Sequence, residues 1–169
     1  MERLRFSQEI DFGPLLRLAY FRYFSRPTIL LVYAVGLVNL AMIISSWYDA
    51  QVPDMDPLPF WIMCAIFLLL PIMVYVNTRS LYDTTAAFQE VATYEVSGEG
   101  IAVEGGTFAL RYQWEAVHQV RETRGWLLIY LNRYYPLYLQ REALDPTDWE
   151  ILRAIVRGVP ELDARLRGR

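Results

Sequence analysis

Two long apolar segments constrain the fold of this chain more than any other feature of its sequence. They cover residues 28–48 and 58–78, and neither contains a charged side chain. A helix needs about 20 residues to cross roughly 30 Å of hydrocarbon, and each segment has that length. The sequence therefore predicts two transmembrane helices.

The distribution of charge supports this prediction. Charged residues make up 21% of the chain and lie almost entirely outside the two apolar segments, which is typical of a membrane protein with a water-exposed part. The first segment is too long for the core of a signal peptide, and residues 45–48 make a poor cleavage site. We expect it to remain in the mature protein.

The connector between the two segments, residues 49–57, contains three aspartates and no basic residue. It is too short to form a domain, so we expect an antiparallel helical hairpin over residues 27–79. Five arginines precede the first apolar segment, and Arg79 follows the second. By the positive-inside rule, both termini are predicted to be cytoplasmic.

Three residues of the hairpin are candidates for packing contacts between helices. Gly36 allows close approach of a neighbouring helix, and Asn39 can form a hydrogen bond to a neighbour within the bilayer. An alternative role for Asn39 is to line a polar pathway. We favour packing because neither segment contains an ionisable carboxylate, histidine or arginine. Pro71 is expected to kink the second helix.

Residues 1–26 are predicted to be a cytoplasmic segment that contains a short amphipathic helix. From Asp11 onward, apolar and aromatic residues recur at spacings of three and four, with Arg17 and Arg22 among them. One interpretation is a helix that lies at the inner membrane surface. The alternative is a helix that packs on the soluble domain.

After a predicted linker helix at residues 80–90, the pattern changes to short strands. Alternation of apolar and polar residues is clearest at 107–114, which predicts a half-buried strand. Further strands are predicted at 94–97, 101–104, 117–122, 126–131 and 135–139. The run at 126–131 is apolar on both faces, so we expect it at the centre of the sheet or against the closing helix.

A helix is predicted to close this domain. Asp145 is a candidate N-cap, Pro146 suits the first helical position, and Gly158 can end the helix. The fold class is therefore membrane α+β, with a helical hairpin followed by a small antiparallel β domain at 91–160. The charged tail, residues 161–169, is expected to fray.

Several short stretches carry a resemblance to a known family. They are Tyr94-Glu95-Val96, Gly100-Ile101, residues 110–114, Val120-Arg121-Glu122-Thr123 and the closing helix. In this order, after a two-helix hairpin, they resemble the YcxB-like family of bacterial membrane proteins. The resemblance implies a pleckstrin-homology-like (PH-like) C-terminal domain and a multi-pass location in the bacterial inner membrane, and it implies no activity. Leu139-Gln140-Arg141 departs from the expected proline and basic residue, since only the arginine agrees.

The residue types needed for common catalytic sites are scarce. His118 is the only histidine and Cys64 the only cysteine, which excludes His-based triads, multi-histidine metal sites and disulfides within the chain. Neither a phosphate-binding GxxxxGK[ST] motif nor a GxSxG elbow is present. We therefore predict no enzyme activity, no catalytic residue, no cofactor and no metal.

Charge also limits the partners of the C-terminal domain. Residues 79–169 contain eleven arginines and thirteen acidic residues, a net charge of −2, which disfavours nucleic acid and anionic lipid headgroups. We predict a non-enzymatic, membrane-anchored interaction or scaffold module that contacts a membrane protein or a second copy of itself, as a homo-oligomer. The candidate surface is a group of tyrosines, which would serve equally as ordinary sheet surface and core: Tyr130, Tyr134, Tyr135 and Tyr138.

Two alternatives to this prediction stay open. The chain could be the subunit of an oligomeric channel or transporter, with Asn39 lining the interior, because two helices cannot enclose a pathway alone. It could also be an immunity or stress protein that shields the membrane. The sequence identifies no small-molecule substrate for any of these functions.

Overall fold

The computed structural model describes residues 3–48, 58–132 and 136–166. The chain divides into two compact units. The helical unit is Asp11–Thr84, and the strand unit combines Met1–Ile10 with Thr85–Arg169. The helices are α1 (Phe12–Phe24), α2 (Pro27–Tyr48), α3 (Leu58–Thr84), α4 (Ala86–Gln89) and α5 (Pro146–Arg157). The strands are β1 (Arg3–Gln8), β2 (Ala92–Ser97), β3 (Gly100–Glu104), β4 (Ala109–Gln113), β5 (Gln119–Thr123), β6 (Trp126–Tyr130), β7 (Pro136–Gln140) and β8 (Ala164–Arg165).

The helical unit contains two helices that are long and apolar enough to cross a membrane. Their apolar stretches are Pro27–Ser45 in α2 and Trp61–Thr84 in α3, and only 11% of an 18-residue window within each stretch is buried. The core helix of a globular protein would be mostly buried. The apolar side chains of α2 and α3 therefore face outward, as the two apolar segments of the sequence predicted.

Helix α3 is longer than the predicted second span. It continues without interruption past residue 78 to Thr84, and Pro71 lies inside it. The predicted linker helix at 80–90 is instead divided between the end of α3 and the short helix α4. The polar residues after Thr78 therefore extend the same helix and do not start a new one.

Helix α1 packs on the other helices of its unit. Leu15 and Leu18 are buried. At its N-terminal end, the ring of Phe12 contacts Tyr75 and Tyr82 of α3 edge to face, and the Arg79 guanidinium lies 5.2 Å from the centre of the same ring. Its amphipathic pattern thus buries one face within the helical unit.

The first sheet of the strand unit begins with a strand that the sequence analysis did not recognise. Its order is β1-β2-β3-β4, with β1 antiparallel to β2 along its whole length. Leu4 and Phe6 alternate with exposed arginines, so the apolar side chains enter the core. The predicted single segment at 1–26 is therefore corrected, because residues 3–8 belong to the strand unit and α1 to the helical unit.

The second sheet has the order β7-β6-β5-β8. All five residues of β6 are buried, which confirms that this run occupies a central strand. The two sheets and α5 share one core, in which Leu127, Ile129 and Leu152 have no exposed surface. Antiparallel sheets closed by a C-terminal helix agree with the predicted layout, and α5 begins and ends where Pro146 and Gly158 predicted.

Two predicted segments differ from the structure. Strand β4 is shorter than the predicted strand at 107–114 and mostly exposed, because it lies at the edge of its sheet and Trp114 already starts a 3₁₀ turn. The tail, which was expected to fray, contains β8, whose residues pair in parallel with β5. The backbone N–H of Val120 also donates to the carbonyl of Asp163 at 3.0 Å, which holds this part of the tail on the sheet.

Candidate interaction site

The predicted tyrosine surface is only partly described by the structure. Tyr130 is 8% exposed, because both faces of β6 are covered, so the prediction that it is a surface residue is wrong. Tyr138 is half-buried, with its ring against Phe88 and Trp126. Tyr134 and Tyr135 lie outside the described residues. The described tyrosines of this group therefore form no exposed patch.

Gly36 and Asn39 line a cavity of about 350 Å³ within the helical unit. Gly36 is buried against Met63 and Phe67 of α3, and a Cβ atom added to it would overlap both side chains. Asn39 does not donate to a neighbouring helix as predicted. Its side-chain amide donates to the carbonyl of Val35, one turn earlier in α2, at 2.8 Å.

Pro71, the third candidate of the hairpin, receives a hydrogen bond from another helix. The hydroxyl of Tyr20 in α1 donates to the carbonyl oxygen of Pro71 at 3.0 Å. This bond joins α1 to the middle of α3. The ring of Tyr20 also stacks on Phe24, so the side chain has both a polar and an aromatic partner.

The strand unit has a groove of about 670 Å³ that no single stretch of sequence predicts. One wall comes from Glu99 and the turn after β4, with Trp114, Glu115 and Val117. The other wall is residues 159–162, which connect α5 to β8. The buried side chains of Trp114 and Val117 contribute apolar surface to the groove.

Hydrogen bonds fix both walls of this groove to the sheets. The indole N–H of Trp114 donates to the carbonyl of Ser97 at 2.8 Å, and its backbone N–H donates to the carbonyl of Glu99 at 3.4 Å. On the other side, the side-chain amide of Gln119 donates to the carboxylate of Asp163 at 2.7 Å. The groove is therefore part of the folded domain and does not depend on a ligand for its shape.

Three carboxylates line the groove, from Glu99, Glu115 and Glu161. All three residues are exposed, and none has an ion-pair partner among residues 3–48, 58–132 and 136–166. Glu161 has a φ angle of 63°, which is uncommon for a residue other than glycine. The groove thus combines apolar surface with negative charge.

The described part of the chain has no group of three or more His, Cys, Asp or Glu residues placed to hold a metal ion. His118 is exposed, and its backbone N–H donates to the carbonyl of Tyr130 at 2.8 Å.

Two titrating groups of the strand unit are perturbed, and both lie outside the groove. The hydroxyl and backbone N–H of Thr107 donate to the carboxylate of Glu90 at 2.7 and 3.0 Å, and these bonds lower the pKa of Glu90. Burial raises the pKa of the Tyr94 hydroxyl, while a hydrogen bond with Gln8 acts in the opposite direction. Both shifts have structural causes within the strand unit.

Comparison with known families identifies the central part of the strand unit. Residues 96–156 match the family model described as YcxB-like protein. The predicted resemblance to the YcxB-like family is confirmed over these residues, which extend from the end of β2 to the last turn of α5. No curated protein and no solved structure matches the chain.

The YcxB-like match contains one wall of the groove and ends before the other. Glu99, Trp114 and Glu115 lie within the matched residues, whereas Glu161 lies beyond them. The sequence did not predict the groove. A signal was available in Pro160, which follows the end of α5 and cannot continue the helix, but no local pattern shows which residues the chain then meets.

Proposed function

We propose that this YcxB-like chain is a non-enzymatic, membrane-anchored interaction module of the bacterial inner membrane. The helical unit inserts into the bilayer as a hairpin with both termini cytoplasmic, and the strand unit meets a membrane protein or a second copy of the chain. The observation that carries the proposal is the exposure of α2 and α3, since only 11% of an 18-residue apolar window in each helix is buried. Such a surface is stable only in an apolar environment.

The polar side chains of these helices support insertion. Asn39, Ser45 and Thr78 each donate to the carbonyl four residues earlier in the same helix, at 2.7 to 2.9 Å. No water is present in the hydrocarbon core, so a polar group there needs a partner within the protein. These side chains meet that requirement without a second helix.

The architecture of the strand unit supports its assignment as a PH-like domain. Two four-stranded sheets and one closing helix share a single core. A fold of this kind does not by itself imply binding of phosphoinositides. The carboxylates that line the groove disfavour anionic headgroups further, so we propose protein contacts.

Topology can be tested with single cysteines in a Cys64→Ser background. Asp54→Cys lies in the connector and Glu142→Cys in the strand unit, and each is exposed to a membrane-impermeant maleimide in spheroplasts. We expect labelling of Asp54→Cys in intact spheroplasts and of Glu142→Cys only after lysis. The reverse pattern would contradict cytoplasmic termini, and labelling of both in intact cells would contradict insertion.

The interaction itself is tested by cross-linking in native membranes followed by mass spectrometry. We expect adducts from the strand unit to a second copy or to a membrane protein. A strict monomer in mild detergent that also forms no adduct in membranes would rule out an interaction module.

A second candidate function is the subunit of an oligomeric channel, and one observation favours it. Asn39 lines the cavity of about 350 Å³ between α2 and α3. Ion flux in liposomes that is lost in Asn39→Leu would support this function. A complete lack of flux at every applied potential would remove it.

A further inference from the structure

We infer that the groove of the strand unit binds an extended protein segment that alternates basic and apolar side chains. This inference rests on the proposed function and names the chemistry of the partner. The groove is about 670 Å³ in volume, within the range of roughly 300–1,000 Å³ that is typical of ligand sites. It is therefore large enough for several side chains of a partner.

The charge of the groove determines the sign of the charge that a partner must carry. Glu99, Glu115 and Glu161 line the groove and have no ion-pair partner among the described residues. Their negative potential attracts cationic side chains and repels anionic lipids and nucleic acid. Two of the carboxylates, from Glu99 and Glu115, belong to one wall, and the third, from Glu161, belongs to the other.

The apolar residues determine the second half of the partner's chemistry. Val159 and Leu162 on one wall are half-buried and offer apolar surface to the groove, and the buried side chains of Trp114 and Val117 lie beneath the other wall. A polyamine would satisfy the carboxylates and leave this surface uncovered. A segment with apolar side chains between its basic ones covers both kinds of surface at once.

The test uses the full chain in phosphatidylcholine nanodiscs, whose zwitterionic lipid does not attract basic peptides. The probe is a labelled peptide of alternating arginine and leucine, and its binding is followed by fluorescence anisotropy. Three matched peptides replace arginine by glutamine, arginine by glutamate, or leucine by serine. We expect the arginine–leucine peptide to bind most tightly and its affinity to fall as salt is added.

Single variants then locate the binding. Glu99→Gln, Glu115→Gln and Glu161→Gln should each weaken binding about two- to fivefold, and the triple variant more than any single one. Glu104→Gln is the matched control, because Glu104 is exposed at the end of β3 and lies outside the groove. Its affinity should equal that of the wild type. All four substitutions are at exposed positions, and circular dichroism checks that the fold is retained.

Three results would overturn the inference. They are equal binding of the glutamine or glutamate peptide, equal binding of the arginine–serine peptide, and a loss in Glu104→Gln as large as in the groove variants. If peptide binding fails while cross-links to a partner persist in membranes, the inference about the groove is wrong but the proposed function as an interaction module is retained. If both fail, the proposed function is wrong as well.

Discussion

Polar side chains of the long helices α2 and α3 and those of the strand unit find their hydrogen-bond partners in different places. In the helical unit, Ser45 and Thr78 donate to the carbonyl four residues earlier, within the same helix. In the strand unit, side chains reach partners far away in the sequence, such as Gln8 to the carbonyl of Tyr138 and Trp114 to that of Ser97. Helices that are stable in hydrocarbon need self-contained hydrogen bonding, whereas a sheet domain depends on distant partners.

The two units also differ in how far their apolar side chains are exposed. Leu31, Leu37 and Leu69 of α2 and α3 are more than half exposed, while the apolar side chains of the strand unit fill one shared core. The same residue types are therefore exposed in the long helices and buried in the strand unit. The comparison predicts that replacing a hydrogen-bonding polar side chain is costly in the strand unit and nearly silent in α2 and α3, and it can be tested in five ways.

The largest effect is expected for Arg153→Met in α5. The Nε atom of Arg153 lies 3.3 Å from a carboxylate oxygen of Glu122, and the two side chains are 7% and 9% exposed. Removal of the cation leaves the Glu122 carboxylate buried without it, so the free energy of unfolding should fall by about 3–5 kcal/mol. Urea unfolding of the detergent-solubilised chain measures the loss.

An exposed ion pair provides the control for Arg153. Arg165 and Asp163 pair at 3.2 Å with both side chains more than half exposed, so Arg165→Met should cost less than about 1 kcal/mol. The double variant with Arg153→Met and Glu122→Leu should recover much of the lost stability. Equal losses in Arg153→Met and Arg165→Met would show that burial of the pair does not matter.

The second effect concerns Gln8, which joins the end of β1 to β7. Its buried amide donates to the carbonyl of Tyr138 at 2.6 Å and accepts from the backbone N–H of Gln140 at 2.9 Å. Gln8→Met leaves both backbone groups without this partner and should cost about 2–4 kcal/mol. Hydrogen exchange at the Gln140 amide should also accelerate.

Ser7→Ala is the matched control for Gln8, because Ser7 and Thr93 share an exposed hydroxyl contact at 3.0 Å. It should change the free energy of unfolding by less than about 0.5 kcal/mol. An unchanged exchange rate at Gln140 in Gln8→Met would disprove the bridging role.

The third effect is one of packing within the helical unit. A side chain at Gly36 meets Met63 and Phe67, so Gly36→Leu should lower the stability of the hairpin by about 1–3 kcal/mol. Gly13→Ala is the control, since nothing lies within 4 Å of the added Cβ atom. Thermal unfolding in detergent compares the two, and similar midpoints would show that α2 and α3 do not pack closely at Gly36.

The fourth prediction concerns pH. Hydrogen bonds from Thr107 hold the pKa of Glu90 below its ordinary value of 4.5. Because the pKa of Glu90 is lower in the folded state, its ionised carboxylate stabilises the fold at pH values above the ordinary pKa. This contribution is lost as the pH falls through the pKa of the folded state. The groups that hydrogen-bond to this carboxylate belong to the strand unit. The stability of the helical unit should therefore not change as Glu90 is protonated.

NMR titration of labelled glutamates tests this assignment. Thr107→Ala removes the hydroxyl donor and should raise the pKa of Glu90 toward its ordinary value, while the backbone donor keeps part of the shift. Thr93→Ala leaves both donors in place and should have no effect. An unchanged Glu90 titration in Thr107→Ala would exclude the hydroxyl as a cause.

The smallest effect is expected for Thr78→Val. Thr78 is buried like Gln8, but its hydroxyl donates at 2.7 Å to the carbonyl of Val74 in its own helix. Valine has nearly the same shape, and no distant group loses a partner, so the cost should stay below about 0.5 kcal/mol. Thermal unfolding measures it, and a loss as large as that of Gln8→Met would contradict the difference between the two units.

The sequence by itself determined the elements whose signals are local. The apolar runs at 28–48 and 58–78 predicted α2 and α3, because helix length and the absence of charge can be counted along the chain. Alternation over a few residues predicted most strands, and Pro146 and Gly158 predicted the bounds of α5. The apolar run at 126–131 predicted a central strand, since only a strand covered on both faces is apolar on both.

Only the tertiary structure decided which distant segments meet. Residues 3–8 alternate too briefly to predict a strand, and they become β1 because β2 offers a complete antiparallel partner much later in the chain. Tyr130 is buried because both faces of β6 are covered, although a tyrosine by itself suits a surface position equally well. The groove likewise forms only because Glu99 and Glu161, which are distant in the sequence, line the same space in the fold. Local patterns record short-range geometry, whereas these contacts depend on pairing and burial across the whole domain.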